Sequence, residues 1–491
     1  MCGILLVRSQ DNIPLEKHLQ AFAMLDSRGP DLHRYRYENN IFIGQTVLHI
    51  TGTAEYYHQE HTNFLAYNGE IYNYRELGSY TNDIEFVHDA VEHDISRLRS
   101  GWGPWAWAWT NNNTVMYASD PQGERSLYQY QDDSILIVCS EVAPILEYIT
   151  AVKIPQDYAT RHWAMLSMTP WQGVTRIDPG YLYQDGMRIV EIDSVFDWIR
   201  PTHYNNINQA HEEFKHVWAD TLSTMTPACA AALTYSGGLD SSIILSHMQD
   251  LELYTTNMTG KDPVVDHAPT LLTTLELSRL HELHIDAQQW AVHYKSVLQR
   301  TQMPVQSWSF AGQWAICEAC EQRVLFTGVG ADELFGGYDV YHTLKYNSNY
   351  SVSPYSANGD SRLWDQCISA YNGHAGQATM LMDYWYQIAG CDARGIDVIS
   401  GAWGIESRNP FLARPVMQLA LNLPFEFKVS AVPKPLITRL FVEKWGLENV
   451  LPKKGFTGHC NDSLPWLGVD IQSTGNRDLD WHQAVLKSFY N

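Results

Sequence analysis

The chain is short of positive charge, of cysteine and of long apolar runs, and each shortage excludes something. Only 33 lysines and arginines stand against 55 aspartates and glutamates, a formal net charge of −22. That balance repels a phosphate backbone, so nonspecific nucleic-acid binding is not expected. Eight cysteines are scattered through 491 residues. Such usage fits a reducing, cytoplasmic setting and not a disulfide framework. Cys317 and Cys320 form a CxxC with no second ligand pair nearby, and their spacing suits one helix face better than a zinc site. No stretch of about eighteen consecutive apolar residues occurs, so no membrane span is expected. The opening MCGILLVRSQDN has a short apolar run and no basic lead, unlike a secretion signal. Internal repeats and low-complexity tracts are missing too. Hydrophobic content of 45% is ordinary for a globular protein, and the length leaves room for about two or three domains.

Of what is present, Leu233 to Leu245 carries most information. It reads LTYSGGLDSSIIL. Apolar residues lead into Ser236-Gly237-Gly238-Leu239-Asp240-Ser241-Ser242, and a second apolar run follows. That pattern predicts a strand, a tight glycine turn and the first turn of a helix. Paired glycines open backbone conformations that a Cβ forbids and let a ligand approach. Ser241 and Ser242 fall where a helix start offers unpaired N–H groups and a positive dipole end, a place that binds phosphate. Asp240 is out of place there unless a cation such as Mg²⁺ bridges it to the phosphate through oxygen ligands. An ordinary βα turn is the plain alternative. The loop is not a Walker loop, because it lacks the Gly-Lys-Ser/Thr ending.

At the other end, Met1-Cys2-Gly3-Ile4-Leu5-Leu6-Val7 reads as a strand headed by cysteine. With Met1 removed, Cys2 carries an α-amine of reference pKa about 8, which can act as base for its own thiol. By itself, a cysteine that merely follows the initiator is the better reading. Trp105-Ala106-Trp107-Ala108-Trp109 alternates with period two, a core strand with indoles on one face and alanines on the other. Residues 196–208 are polar and aperiodic and read as a linker between domains at 1–195 and 209–491, with a helix starting at Gln209. Past the glycine loop, the pattern predicts a strand at Leu253–Met258, a helix around 270–284 and a strand near 286–291.

Three sets of residues carry a resemblance. SGGLDSS resembles the pyrophosphate-binding loop of ATP pyrophosphatases, the PP-loop enzymes. MCGI, Arg28-Gly29-Pro30-Asp31 and Asn68-Gly69-Glu70-Ile71-Tyr72-Asn73-Tyr74 resemble the glutaminase domain of class II amidotransferases. VLFTGVGADELFGGY at 324–338, AWGIESRNPFL at 402–412, Lys434 and LPKKGF at 451–456 resemble segments of glutamine-dependent asparagine synthetases. The likeness runs to about residue 460. It implies an N-terminal αββα Ntn-hydrolase sandwich and a C-terminal doubly wound parallel α/β sheet with a PP-loop. It implies Cys2 as nucleophile, Asn68 and Gly69 as the oxyanion hole, and Glu70 and Asp83 as glutamine-binding residues. ATP would touch Tyr235, Ser236, Gly237, Gly238, Asp240, Ser241, Ser242, Thr327 and Gly328. Asp240 and Asp332 would hold Mg²⁺, and Lys434 would support the departing pyrophosphate. Partners so implied are glutamine and a carboxylate acceptor. A cytoplasmic enzyme results, with a homodimer allowed and neither nucleic acid nor membrane involved. Ammonia from glutamine would pass inside the protein to an acyl-adenylate, giving an amide, AMP and pyrophosphate.

Departures from the family pattern bear on both substrates. Val47 stands where the family carries an arginine for the glutamine carboxylate. Val329 replaces the glutamate of the Gly-Glu-Gly triplet, and Gln302-Met303-Pro304 lacks an acid found in many relatives. Ala413 replaces a closing aspartate. Three readings stay open: an altered asparagine synthetase, an amide ligase of the same chemistry acting on a different carboxylate, and a non-catalytic binding or regulatory protein. Retention of Cys2, Asn68, Asp240, Asp332 and Lys434 weighs against the third.

Overall fold

The computed structural model describes residues 2–51, 63–111, 113–154, 167–200, 204–258, 272–304, 307, 309–346, 361–446, 463–469 and 477–490. The LPKKGF motif lies outside them. Among the described residues, no helix is long and apolar enough to cross a membrane.

Strands of the first half are β1 (Gly3–Ser9), β2 (Leu32–Glu38), β3 (Ile41–Val47), β4 (Phe64–Gly69), β5 (Trp105–Thr110), β6 (Val115–Ser119), β7 (Tyr128–Gln131), β8 (Ile135–Cys139), β9 (Val174–Arg176), β10 (Tyr181–Gln184) and β11 (Met187–Glu191). They form two antiparallel sheets, ordered β2-β3-β1-β8-β7-β9 and β11-β10-β6-β5-β4. The period-two alternation of β5 decides how these stack. Ala106 and Ala108 face Ile4, Leu6, Ile41 and Ile43 of the other sheet, and their small side chains let the sheets close. Trp105, Trp107 and Trp109 face away and are covered by Ile84, Val87 and Ala90 of helix Asp83–His93. On the opposite outer face, Leu5 and Val7 meet Ala21 and Phe22 of helix Leu15–Ala23. The layers are therefore α, β, β, α, as expected.

The second half holds β12 (Ala231–Thr234), β13 (Glu252–Met258), β14 (Leu280–Ile285), β15 (Val324–Phe326) and β16 (Glu406–Arg408). These run parallel in the order β14-β13-β12-β15-β16. Both faces are buried. Ala231, Leu233, Val324 and Phe326 face helices Ile207–Met225 and Pro435–Trp445. Ala232, Tyr254 and Leu325 face helices Ala287–Thr301 and Phe310–Ala319. This is a doubly wound sheet. From β12 the chain turns one way to β13 and later the other way to β15, so the crevice between β12 and β15 is the switch point where such folds bind ligands.

Three expectations need correction. Of the helix expected around 270–284, residues 270 and 271 lie outside the described residues; among the rest only Thr274–Leu277 is helical, and Leu280–Ile285 is a strand. The strand expected near 286–291 is instead the start of helix Ala287–Thr301, opened by a capping box between Asp286 and Gln289. Residues 195–198 form a short 3₁₀ turn whose Val195 and Trp198 are buried in the second half's core, and the following helix begins at Ile207, not Gln209. Trp198 is seated by hydrogen bonds: its indole donates to Asp193 at 3.1 Å, and its carbonyl accepts from Asn422 at 2.8 Å. Arg414 reaches Asp193 at 3.1 Å.

Candidate active sites

Cys2 lies just ahead of β1, 7% exposed, beside the end of β4. Its backbone N–H donates to Asn68 Oδ1 at 2.8 Å. That bond fixes the amide of Asn68, whose Nδ2 is buried with no partner. A buried, unspent donor is costly, and one beside a thiol is where an oxyanion could be received. Gly69 is required by space, because a Cβ there would sit 2.3 Å from the carbonyl oxygen of Pro104. Cys2, Gly69, Glu70 and Asp83 share one cavity with Leu48, His49, Ile50, Thr51 and Glu406. Val47, buried in β3, is not among its lining residues.

The cavity is acidic. Asp83 accepts from Tyr67 Oη at 2.8 Å and from the Ile71 N–H at 3.1 Å. Burial raises its pKa, and those two bonds oppose the rise. Glu70 is raised also, by burial and by the charge of Asp83, against the pull of Arg408. Glu406 behaves oppositely. Burial would raise it, but its cationic neighbours, Arg408 and Arg125 among them, prevail and its pKa is lowered.

The second constellation sits at the switch point. Tyr235 to Gly238 link β12 to helix Leu239–Leu245, with Gly237 at φ 71°. The hydroxyls of this loop are spent on the loop itself: Ser236 N–H donates to Ser241 Oγ at 3.3 Å, and Gly238 N–H to Ser236 Oγ at 3.3 Å. Ser242 Oγ reaches Tyr235 Oη at 3.5 Å. Bonds this long are weak, and a phosphate oxygen could take their donors. Gly328, after β15, comes so near that a Cβ would lie 3.0 Å from Asp240 Cβ. Thr327 donates through Oγ1 to Asn409 Oδ1 at 2.6 Å.

Asp240 and Asp332, 92 positions apart in sequence, meet at Lys434. Its Nζ donates to the two oxygens of Asp240 at 2.7 and 2.6 Å and lies 2.6 Å from Asp332 Oδ1. Burial disfavours the ammonium, yet the two carboxylates outweigh burial and raise its pKa. Lys434 adopts φ 47°, an uncommon conformation for a residue with a side chain. Gly337 clears the space, since a Cβ there would be 1.8 Å from Asp332 Oδ1. Val329 packs against both large apolar clusters.

A ladder of polar contacts connects the two places. Arg408 donates from Nε to Glu406 at 2.8 Å and lies 3.7 Å from Glu70. Asn409, next along the chain, gives its amide to Glu124 at 2.8 Å while accepting from Thr327. Arg28, from the RGPD stretch, crosses the seam: it donates to both oxygens of Asp397 at 3.2 and 3.0 Å, to Glu141 at 3.1 Å and to the Cys2 carbonyl at 2.9 Å. Every expected site residue thus joins one of two groups. Sequence reasoning gave no part to Glu406, Arg408 or Asn409, although the ESRN stretch that holds them had been matched. Cys317 and Cys320 remain on one helix end, and among the described residues no group of three or more His, Cys, Asp or Glu could hold a metal.

Comparison with known proteins gives a consistent picture. A family model described as asparagine synthase matches residues 228–454, and a glutamine amidotransferase domain matches residues 1–191. A glutamine-hydrolysing asparagine synthetase of Sandersonia aurantiaca is 22% identical over 510 residues, covering 95% of this chain and 84% of that one. A probable asparagine synthetase of Acanthamoeba polyphaga mimivirus is 26% identical over 535 residues, covering 99% and 88%. Amidase chyE of Penicillium rubens is 23% identical over 365 residues, covering 65% of this chain and 54% of its own length.

Proposed function

The chain belongs to the glutamine-hydrolysing asparagine synthetase family, and from that premise we propose that it is an ATP-consuming amide ligase whose acceptor is a carboxylate larger or less polar than aspartate. Ligase chemistry and the use of glutamine and ATP follow from the family; the acceptor and the residue roles are our reading.

In the first half, the α-amine of Cys2, freed by loss of Met1, takes the thiol proton. Its sulfur then attacks the glutamine amide carbon. Asn68 Nδ2 and the Gly69 N–H donate to the oxyanion, and Glu70 and Asp83 hold the substrate's amino group. The amine returns the proton to the leaving nitrogen as the C–N bond breaks, which frees ammonia, and water resolves the thioester to glutamate.

In the second half, the loop from Ser236 to Ser242 cradles phosphate, while Thr327 and Gly328 meet the nucleotide. Asp240 and Asp332 fit Mg²⁺ because their oxygens already converge on one cation, the Lys434 ammonium, at 2.6–2.7 Å. Two carboxylates leave coordination for phosphate oxygens. The ion would neutralise charge on the pyrophosphate as it leaves. Lys434 then moves its own charge onto the same oxygens.

Val329 carries the acceptor reading. It stands where asparagine synthetases use a glutamate, and it packs into apolar surroundings with no proton to transfer. General-base help is worth about 10²–10⁴-fold, so aspartate should be a poor substrate. The test supplies aspartate and a series of bulkier carboxylates with ATP, Mg²⁺ and glutamine, and scores amide products by mass. Asparagine formed at an ordinary turnover of about 1–10³ per second would restore the plain asparagine synthetase reading.

A further inference from the structure

One arginine of the second half reaches a carboxylate of the first half's cavity. Building on the assignment of Glu70 to the amino group of glutamine, we propose that Arg408 is a positioning residue of the glutamine-hydrolysing site. Its guanidinium keeps the Glu70 carboxylate charged and in place, so the pocket for the substrate's ammonium is completed by the other half of the chain.

Position comes from the sheet. β16 runs parallel to β15 with Arg408 opposite Phe326, and the Arg408 carbonyl accepts from the Thr327 N–H at 3.0 Å. From there the side chain crosses the seam, 1% exposed. Its Nε donates to Glu406 at 2.8 Å and its Nη1 to the Met225 carbonyl. Its Nη2 is buried, makes no hydrogen bond, and lies 3.7 Å from Glu70 Oε2. The guanidinium also rests over the ring of Tyr72, 5.2 Å from its centroid. Glu70 and Tyr72 stand two positions apart on one segment of the first half, so that segment meets the arginine twice.

The chemistry gives that contact a use. Glutamine carries an ammonium into the cavity, and an ionised carboxylate binds it far better than a neutral one. Burial and the charge of Asp83 work against ionisation of Glu70, and Glu406 adds to them, while Arg408 and the Thr51 hydroxyl favour it. Asp83 is itself hindered by burial. Tyr72 and Tyr74 face Glu70 without offering a positive charge, and His49 lines the same cavity. Arg408 is thus a cation fixed beside Glu70 before the substrate arrives, and an opposite charge this close favours the carboxylate. The contact is longer than a hydrogen bond, so it lends charge without spending the oxygens of Glu70 on the arginine.

The test measures ammonia released by the full-length chain from glutamine and from glutaramate, the same amide without the amino group. Both substrates need the thiol, its base and the oxyanion donors, so a loss confined to glutamine reports on the ammonium pocket. In Arg408→Gln, KM for glutamine should rise by about tenfold with kcat little changed, and KM for glutaramate should stay where it was. Arg408→Lys keeps a positive charge and should recover part of the loss. A merely structural role would weaken both substrates alike. Equal losses with both, or no loss with either, overturn the proposal. Should Arg408→Gln lose its cooperative melting transition, Arg408→Lys decides: a smaller rise in KM confined to glutamine supports the proposal, and equal behaviour toward both substrates rejects it. Glu70→Gln separates this inference from the reading beneath it. If that variant raises KM for glutamine alone, the assignment of Glu70 stands whatever Arg408 does. If it treats both substrates as the unaltered chain does, that assignment falls and this inference with it.

Discussion

Replacing Arg28 with methionine should loosen the seam between the halves by about 3 kcal/mol. The guanidinium is wholly buried and donates to Asp397, Glu141 and the Cys2 carbonyl. Removing one member of a buried ion pair costs about 3–5 kcal/mol, chiefly because the other charge is left behind unpaired. Here neither carboxylate is abandoned. Asp397 keeps Arg125 at 3.2 Å, and Glu141 keeps Arg300 at 2.9 Å. The low end of the range therefore applies, on the order of 10²-fold in an opening equilibrium. Native-state hydrogen exchange would read this as faster exchange at the start of β1 and in helix Ala393–Gly401, since Arg28 ties Cys2, just ahead of β1, to Asp397 of that helix. Arg323 provides the contrast. It also spans the seam, to Asp31 at 2.5 and 2.9 Å, but its side chain is 47% exposed. Arg323→Met should cost about 0–1 kcal/mol. Adding Asp397→Leu to Arg28→Met should deepen the loss, because it takes from the buried Arg125 the carboxylate 3.2 Å away. If Arg28→Met exchanges no faster than Arg323→Met, or the double variant is tighter than the single, the reasoning fails.

Lys428 is buried, its ammonium donates to the Ala420 carbonyl at 3.1 Å, and burial pushes its pKa down to about 7. The unfolded chain holds this proton up to about pH 10.4, so between those values unfolding takes up a proton. Stability should then rise with pH above 7, by up to about 1.4 kcal/mol per unit from this group. Denaturant titrations at several pH values should lose that slope in Lys428→Met; an identical slope would argue against it. Gly337→Ala would place a Cβ 1.8 Å from Asp332 Oδ1 and 2.4 Å from Lys434 Cε. Prying those groups apart should cut ATP-driven pyrophosphate release about 10²-fold and leave glutamine hydrolysis intact, and equal loss of both activities would contradict the separation of the sites.

Much of the molecule was legible because chemistry demands particular residue types in short order. Asp240 after paired glycines, Cys2 at a strand head and Asn68 before Gly69 are local patterns, and the structure gathers them as two sites. Alternation in Trp105 to Trp109 stated its own packing. Legibility failed where neighbours in space decide. Leu280, Leu283 and Ile285 fit a helical spacing almost as well as a strand, and pairing with β13 settles the matter. The cap at Asp286 with Gln289 was a readable signal for the next helix. Glu406 belongs to a recognisable motif, but nothing near it in sequence says that it lines the same cavity as Cys2, more than 400 positions away.

The seating of Trp198 bears on how such enzymes can be recombined. Ile192 packs with the first half's indole layer, whereas Val195 and Trp198 sit in the second half's core and Asp193 holds Arg414. A chimera joined at the outwardly polar stretch beginning at Phe196 would leave Val195 on the donor side and strip Asp193 from its arginine. The workable crossover lies between Ile192 and Asp193. The six residues from Asp193 to Trp198 travel with the ligase half as its doorstep, and a foreign amidotransferase module must be cut to meet them.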